Sequence, residues 1–420
     1  MTRMLLTGNG AAAWGARLAA TDYIPAFPIT PQTEIIEAIS TWIDQGDMDA
    51  RMVTMESEHS MITAAAAAAA SGIRVFSATS SQGLLYGMEM LYTVSGWRAP
   101  FVLVNVSRGL ASPITLEPDH NDIMAARDCG FLQIHCSTCQ EVLDSTLMAF
   151  RLAEHECIRL PVIVNMDGFY LSFTREPVEV PEPAAAQRYV GDYDAENIRF
   201  RASAPVSQAV AVLGGAPYSY FRYETHMAAQ NGLAVYDELS AAFAEQFGRE
   251  YAAIAAYRCD DADIVFVMLG SFATKAQAAV DQLRKAGHPV GLLRPRLLRP
   301  FPAELFRCLL AGKSGVAVID QNLSMGMGGV LHSELAAALY GDAKAPSRLL
   351  SFIGGLGGRD ISLEEFFEIA DVTRTAVAEQ QTPPPRLLYT EQELREMRKL
   401  QAVASVERDE LNNSGGVNHD

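Results

Sequence analysis

The sequence has little cysteine, no long uncharged apolar run and no excess of basic charge, and each shortage closes off a class of function. Its six cysteines, Cys129, Cys136, Cys139, Cys157, Cys259 and Cys308, are spread over 420 residues, too sparse and irregular for a disulfide framework. Cys136 and Cys139 form a C-x-x-C beside His135, but a four-ligand zinc or iron-sulfur site needs more thiolates at close spacing, and none follows until Cys157. The pair reads as reduced and structural, and the chain as carrying neither cluster nor metal of its own. No segment has the length and apolarity of a membrane span. The apolar run at the start is too short for a secretory signal, so a cytoplasmic protein is expected. Fifty acidic against 33 basic side chains give a net charge of −17, which repels phosphate backbones and anionic lipid. Neither nucleic acid nor membrane is an expected partner.

What is present is a globular composition, 49% hydrophobic and 20% charged, in a chain long enough for two or three domains. Short apolar runs alternate with helical patterns from residue 1 to about 170, as in a mostly parallel sheet wrapped by helices. Strands are expected at 51–55, 73–78, 101–106, 132–135 and 162–165, and helices at 11–20, 58–71, 83–95 and 139–155. The Ala-rich stretch 63–71 is either a tightly packed internal helix or a surface that another backbone or a flat ligand can approach. Proline and glutamate accumulate over 172–207, which predicts a linker running over the surface. A helical bridge follows, with Tyr218–Tyr223 as an aromatic loop. A second α/β unit occupies about 262–371, and after three prolines comes an amphipathic helix at 391–409 with a disordered tail. The domain boundaries follow as 1–245, 246–382 and 383–420.

Three stretches look chemically loaded. Pro28-Ile29-Thr30-Pro31 places Thr30 at a strand-to-helix corner with Pro31 at the first helical position, where Thr30 either caps the helix or meets a small anion. Thr79-Ser80-Ser81-Gln82-Gly83 follows a strand, the kind of loop where open α/β sheets bind ligands. Arg108 follows another strand, and is either a carboxylate-binding fork or a surface ion pair. Asp119-His120-Asn121-Asp122 reads three ways: metal ligands, partners for Arg108, or a helix start. The glycine loops at 324–329 and 354–358 lack the dinucleotide spacing and are weak evidence for phosphate.

In register along residues 1 to about 375, Phe27-Pro28-Ile29-Thr30-Pro31, Ser57-Glu58, Thr79 to Leu84, Arg108, Arg299-Pro300-Phe301-Pro302, Asp320 to Gly326 and Gly357 to Asp360 resemble the α subunits of the 2-oxoacid:ferredoxin oxidoreductases, the pyruvate:ferredoxin oxidoreductase superfamily. Within it the resemblance is greatest to the phenylglyoxylate:acceptor enzymes, while pyruvate and branched-chain relatives share the motifs. The resemblance implies an α/β fold: a doubly wound parallel sheet domain of the thiamine-diphosphate pyrimidine-binding type plus a transketolase C-terminal-like domain. It implies oxidative decarboxylation of a 2-oxoacid on thiamine diphosphate, with the acyl group passed to coenzyme A and electrons to iron-sulfur clusters. Carried over by motif, Glu58 would hydrogen-bond the aminopyrimidine, Thr30 and Arg108 would meet the substrate, and Pro28, Ile29, Ser81 and Gln82 would line the cofactor. Glu56 competes with Glu58, and the Ser-Glu pairing favours Glu58.

The departures point to partners. Thiamine diphosphate enzymes hold the diphosphate through a metal on Gly-Asp-Gly, which does not occur here, and the cysteines for electron transfer are missing as well. The resemblance thus implies β, γ and ferredoxin-like subunits that supply metal and diphosphate binding, coenzyme A contacts and clusters, with FAD a further candidate in a partner. Phe27 and Gln321 stand where the family often has Tyr and Arg. Two readings from other classes remain open: a nucleotide-binding enzyme using the second unit's glycine loops, and a structural scaffold.

Overall fold

The computed structural model describes residues 1–193, 200, 202–207 and 210–414. The first unit runs β1 (Thr2–Thr7), α1 (Gly8–Leu18), β2 (Tyr23–Ala26), α2 (Thr33–Asp44), β3 (Arg51–Thr54), α3 (Glu58–Ala70), β4 (Phe76–Thr79), α4 (Ser81–Tyr86) and α5 (Met88–Gly96). It continues through β5 (Val102–Ser107), α6 (Asn121–Ala125), β6 (Leu132–His135), α7 (Cys139–Glu154), β7 (Val162–Asp167), β8 (Arg175–Val180) and α8 (Pro183–Val190) to the long α9 (Gly215–Phe247). The second unit comprises β9 (Ile254–Tyr257), β10 (Ile264–Met268), α10 (Ala273–Lys285), β11 (Val290–Pro295), β12 (Leu297–Arg299), α11 (Ala303–Leu310) and β13 (Gly315–Asp320). After these come α12 (Val330–Leu339), β14 (Arg348–Ile353), α13 (Leu363–Glu379), β15 (Arg386–Leu387) and α14 (Glu391–Ser414).

Both main sheets are parallel in their centres and covered on both faces. In the first, ordered β12-β6-β7-β5-β4, Val102, Val104 and Val106 share a cluster with Val162 and Val164 and with residues of α1 and α7. The intervening Leu103 and Ile163 pack on the other face with Met61, Ile62, Leu91 and Val94 of α3 and α5. Successive strand residues point to opposite faces, so continuous apolar runs are what a doubly wound sheet requires. The second sheet, β15-β14-β13-β10-β11-β9, repeats the pattern, with Phe266 and Ala317 on one face and Val265 and Val316 on the other. In the Ala-rich α3, Ala65, Ala66 and Ala69 are fully buried in the core, which is the packed-helix reading of that stretch.

The units interlock. β12 pairs antiparallel with β6, so the second unit lends a strand to the first sheet. Arg294 and Arg296 both reach the buried Glu141 at the start of α7, and Arg299 grips Glu334 of α12 at 2.7 Å while donating to the Arg127 carbonyl. Removing one partner from such a buried ion pair costs about 3–5 kcal/mol.

Three expectations are corrected. The proline- and glutamate-rich stretch after residue 172 is not simply a surface linker: β8 pairs with β1, and α8 buries Ala186, Tyr189 and Val190. The alternation Val178-Glu179-Val180, with both valines buried, is a strand pattern that the flanking prolines obscured. Residues 194–199 and 201 of that stretch lie outside the described residues, as do 208 and 209 of the bridge and the tail beyond residue 414. Tyr218–Tyr223 is not a loop but lies within the first three turns of α9, and Pro217 is tolerated because it falls in the helix's first turn. Finally, α2 starts at Thr33, so Pro31 is not its first residue and Thr30 does not cap it.

Among the described residues no helix is long and apolar enough to cross a membrane. Cys136 and Cys139 are free and buried; burial pushes the Cys136 thiol up to about 12 and raises Cys139 as well. Neither thiol is available as a thiolate near neutral pH.

Candidate active site at the carboxyl edge of the first sheet

The parallel register aligns the carboxyl ends of β4, β5 and β7, with Thr79 opposite Asn105 and Ser107 opposite Asp167. The loops that follow therefore share one edge of the sheet, the edge where open α/β folds bind ligands. The loops after β2 and β3 arrive beside them because β2 and β3 pair in parallel and Tyr23 bridges to Val75 next to β4.

Glu58 is the first residue of α3, whose N-cap Ser57 accepts the Ser60 N–H. Glu58 is only 5% exposed, and among the described residues its carboxylate makes no hydrogen bond or ion pair. Gly83 lies flush against it: a Cβ there would come within 2.5 Å of Glu58 Oε1 and 2.7 Å of Thr79 Oγ1. The competing Glu56 is exposed and occupied by the Ser60 hydroxyl, which lowers its pKa. Geometry thus separates two carboxylates that the sequence set two residues apart.

Arg108 joins the remaining pieces. Its Nη1 donates to the Thr30 carbonyl at 2.8 Å and its Nη2 to Gln82 Oε1 at 2.6 Å. Gln82 Oε1 also accepts from Ser81 Oγ at 2.6 Å, which turns its amide nitrogen away from both. Partial burial lowers the Arg108 pKa, opposed by the charge of Asp122. The guanidinium remains a cation at any physiological pH. Thr30 is exposed, its hydroxyl unbonded among the described residues, because Gln32 closes the turn instead, donating to the Phe27 carbonyl at 2.8 Å. Pro28 is exposed and Ile29 half-buried in the same turn, with no hydrogen bond to Glu58, Gln82 or Arg108.

Among the described residues, the buried polar atoms at this edge without a protein partner include Thr79 Oγ1, Ser80 Oγ, Gln82 Nε2 and Arg108 Nε. A buried donor or acceptor left unmade costs about 1–3 kcal/mol, so a cluster of them beside an unpaired carboxylate suits a polar heteroaromatic ligand better than it suits a closed core. The arrangement fits the pyrimidine end of thiamine diphosphate. Among the described residues no group of three His, Cys, Asp or Glu able to hold a metal occurs.

The Asp119–Asp122 cluster divides its work. Asp119 accepts from Asn121, and the short α6 begins there. His120 pairs with Asp167 at 2.6 Å, fully buried, and Asp167 also accepts the Ser271 N–H of the second unit. Burial acts against the charged imidazolium, but the Asp167 carboxylate outweighs it and raises His120. Sequence reasoning missed this pair, whose members lie 47 residues apart. Asp122 bonds both site loops.

Comparison with known proteins now decides the family. Residues 14–241 match the family described as pyruvate flavodoxin/ferredoxin oxidoreductase, thiamine diphosphate-binding, and residues 262–366 match pyruvate:ferredoxin oxidoreductase core domain II. The chain belongs to the 2-oxoacid:ferredoxin oxidoreductase α-subunit family. It is 38% identical to pyruvate synthase subunit PorA of Pyrococcus abyssi over 91% of this chain and 96% of that one. It is 35% identical to the NADH-dependent phenylglyoxylate dehydrogenase α subunit of Aromatoleum evansii over 88% of this chain and 90% of that one. Identity of this order does not separate the phenylglyoxylate resemblance from the pyruvate one. A solved 2-oxoglutarate:ferredoxin oxidoreductase from Magnetococcus marinus, with 2-oxoglutarate, coenzyme A and succinyl-CoA bound, shares the fold with a TM-score of 0.68 at 19% identity. That match covers 89% of this chain and 65% of that one. As a family member the chain is one subunit of a 2-oxoacid oxidoreductase, with a thiamine diphosphate-binding domain.

Proposed function

We propose that the chain holds the pyrimidine end of thiamine diphosphate and the carboxylate end of a 2-oxoacid at the carboxyl edge of its first sheet. β, γ and ferredoxin-like subunits contribute the diphosphate and metal site, coenzyme A contacts and iron-sulfur clusters. The observation that carries this reading is the Arg108 fork spanning Thr30 and Gln82 beside an unpaired, buried Glu58 and four orphaned polar atoms. When bound, thiamine diphosphate supplies a nucleophilic carbon and an electron sink for loss of CO2. Glu58 would hold a pyrimidine ring nitrogen, with its carboxylate kept in place by the absence of a side chain at Gly83. Arg108 and Thr30 would orient the 2-oxoacid. Arg108 must position without gripping, because the carboxylate it pairs is the group that leaves.

For the substrate's side chain, phenylglyoxylate is the first reading, supported by the resemblance of the whole chain and by exposed Ile114 and Leu116 on the loop after Arg108. Pyruvate is the second, favoured by the 38% identity to a pyruvate synthase subunit. Acceptor reduction by the assembled complex with phenylglyoxylate, pyruvate and 2-oxoisovalerate separates them: comparable rates with all three would end the aryl reading. The site itself is tested by Arg108→Ala, expected to raise KM for the 2-oxoacid at least about tenfold; an unchanged KM would end it.

A further inference from the structure

Asp122 has no solvent exposure, and every group bonded to its carboxylate is a donor. Oδ2 accepts from the Ser81 N–H at 3.0 Å, Asn105 Nδ2 at 3.1 Å and the Arg108 N–H at 3.3 Å. Oδ1 accepts from Ser107 Oγ at 2.9 Å and the Ile123 N–H at 2.7 Å. These donors come from three separate pieces of chain: the start of α4, the end of β5 with the residue after it, and the start of α6. We propose that Asp122 is a positioning residue of the 2-oxoacid site, locking the Ser81-Gln82 turn and Arg108 into one register. The inference rests on the reading of Arg108 as a substrate contact.

The shell calls for an acceptor at Asp122, because four of its five partners can only donate. Ser81 sits at φ +49°, a conformation serine rarely adopts, and its N–H is aimed at Asp122 while its hydroxyl, with one proton to give, lies between Gln82 Oε1 at 2.6 Å and the Gly109 carbonyl at 3.0 Å. Gln82, the next residue, thereby meets Arg108. The N–H groups of Ser81, Arg108 and Ile123 and the Asn105 amide can only donate, whereas the Ser107 hydroxyl, which also lies 2.9 Å from Asn165 Oδ1, can donate or accept; an asparagine would turn its NH2 towards at least one of the obligate donors. Burial, with the charge of Asp119, raises the Asp122 carboxyl, and its bonds to Asn105, Ile123 and Ser107 only partly offset that rise. The same charge faces the Arg108 guanidinium and supports it.

The test is a double-variant cycle on the assembled complex with Asp122→Asn, Arg108→Ala and the two combined. We expect Asp122→Asn to raise KM for the 2-oxoacid about tenfold and to lower kcat, with the Kd for thiamine diphosphate within about twofold of wild type. The double variant should be within about threefold of Arg108→Ala alone, because one change acts through the other. An unchanged KM, or single effects that simply multiply in the double variant, would overturn the inference while leaving the site reading intact. Arg108→Ala with no effect on KM would overturn the site reading and this inference with it. Should Asp122→Asn fail to assemble, Ser107→Ala removes one donor and leaves the carboxylate. It should raise KM about threefold, with that rise absent in the Arg108→Ala background; multiplication there would overturn the inference.

Discussion

At the carboxyl edge of the first sheet, Thr79 Oγ1, Ser80 Oγ, Gln82 Nε2 and Arg108 Nε are buried without partners; at the same edge of the second sheet the polar groups are largely used up by one another. Asp320, at the end of β13, accepts the Leu331 N–H at 2.9 Å and the His332 N–H at 3.1 Å, and Asn322 accepts the Val330 N–H at 3.0 Å. These are the free N–H groups of the α12 N-terminus, the place where a phosphate would otherwise bind. A side chain at Gly329 would collide with the Asp320 carboxylate, so this glycine serves an internal cap and not a nucleotide. Gln321, with both amide atoms unpartnered, is the exception. Two largely parallel sheets of different strand order thus contrast at their carboxyl edges: one leaves polar groups without protein partners and the other is closed by its own aspartate.

The largest expected break in this comparison is Glu58→Gln in the assembled complex, which should lower turnover on the order of 10²-fold or more with little change in thermal midpoint. Asp320→Asn should do the reverse, and equal turnover losses from both would erase the contrast. A matched glycine pair sharpens it. Gly83→Ala should displace Glu58 and cost turnover about tenfold or more, whereas Gly329→Ala should cost about 1–3 kcal/mol of stability by overpacking and spare kcat in the complex that survives. Calorimetry and steady-state kinetics on the same preparations check both.

A pH series probes the closed edge by itself. Burial raises the Asp320 carboxyl from 3.8 to about 6, so between those values the folded chain binds more protons than the unfolded one and stability falls as pH rises. The cost of the buried charge reaches about 3 kcal/mol above that window. The stability difference between wild type and Asp320→Asn should therefore shift steadily against wild type from pH 4 to 6; a difference constant over that range would contradict the buried-charge account. The smallest effect is at the open edge: Ser57→Ala, which removes the α3 cap beneath Glu58, should cost about 1 kcal/mol by chemical denaturation.

Much of this edge was legible in the sequence because its residues lie in short runs after strands: Ser81 and Gln82 after β4, Arg108 after β5, Glu58 at a capped helix start. The structure brings these together with Thr30, while Pro28 and Ile29 only share the turn. Contacts between distant residues were not legible. Nothing in local spacing says that His120 pairs with Asp167, that Arg294 and Arg296 converge on Glu141, or that β12 crosses to the first sheet. The aspartates at 119 and 122 were visible as a cluster, but which one would face Ser81 and Arg108 depends on how α6 packs. Two of the misreadings share a cause. Proline reads as punctuation at Pro31 and Pro177, yet α2 begins only at Thr33 and Pro177 lies inside β8.

The most direct measurement is a structure of the assembled complex with thiamine diphosphate bound. The account predicts the coenzyme's pyrimidine ring within hydrogen-bonding distance of the Glu58 carboxylate, close to Gly83 and Gln82, with the diphosphate and its metal on a partner subunit. Coenzyme density remote from Glu58, or a diphosphate held wholly by this chain, would contradict it.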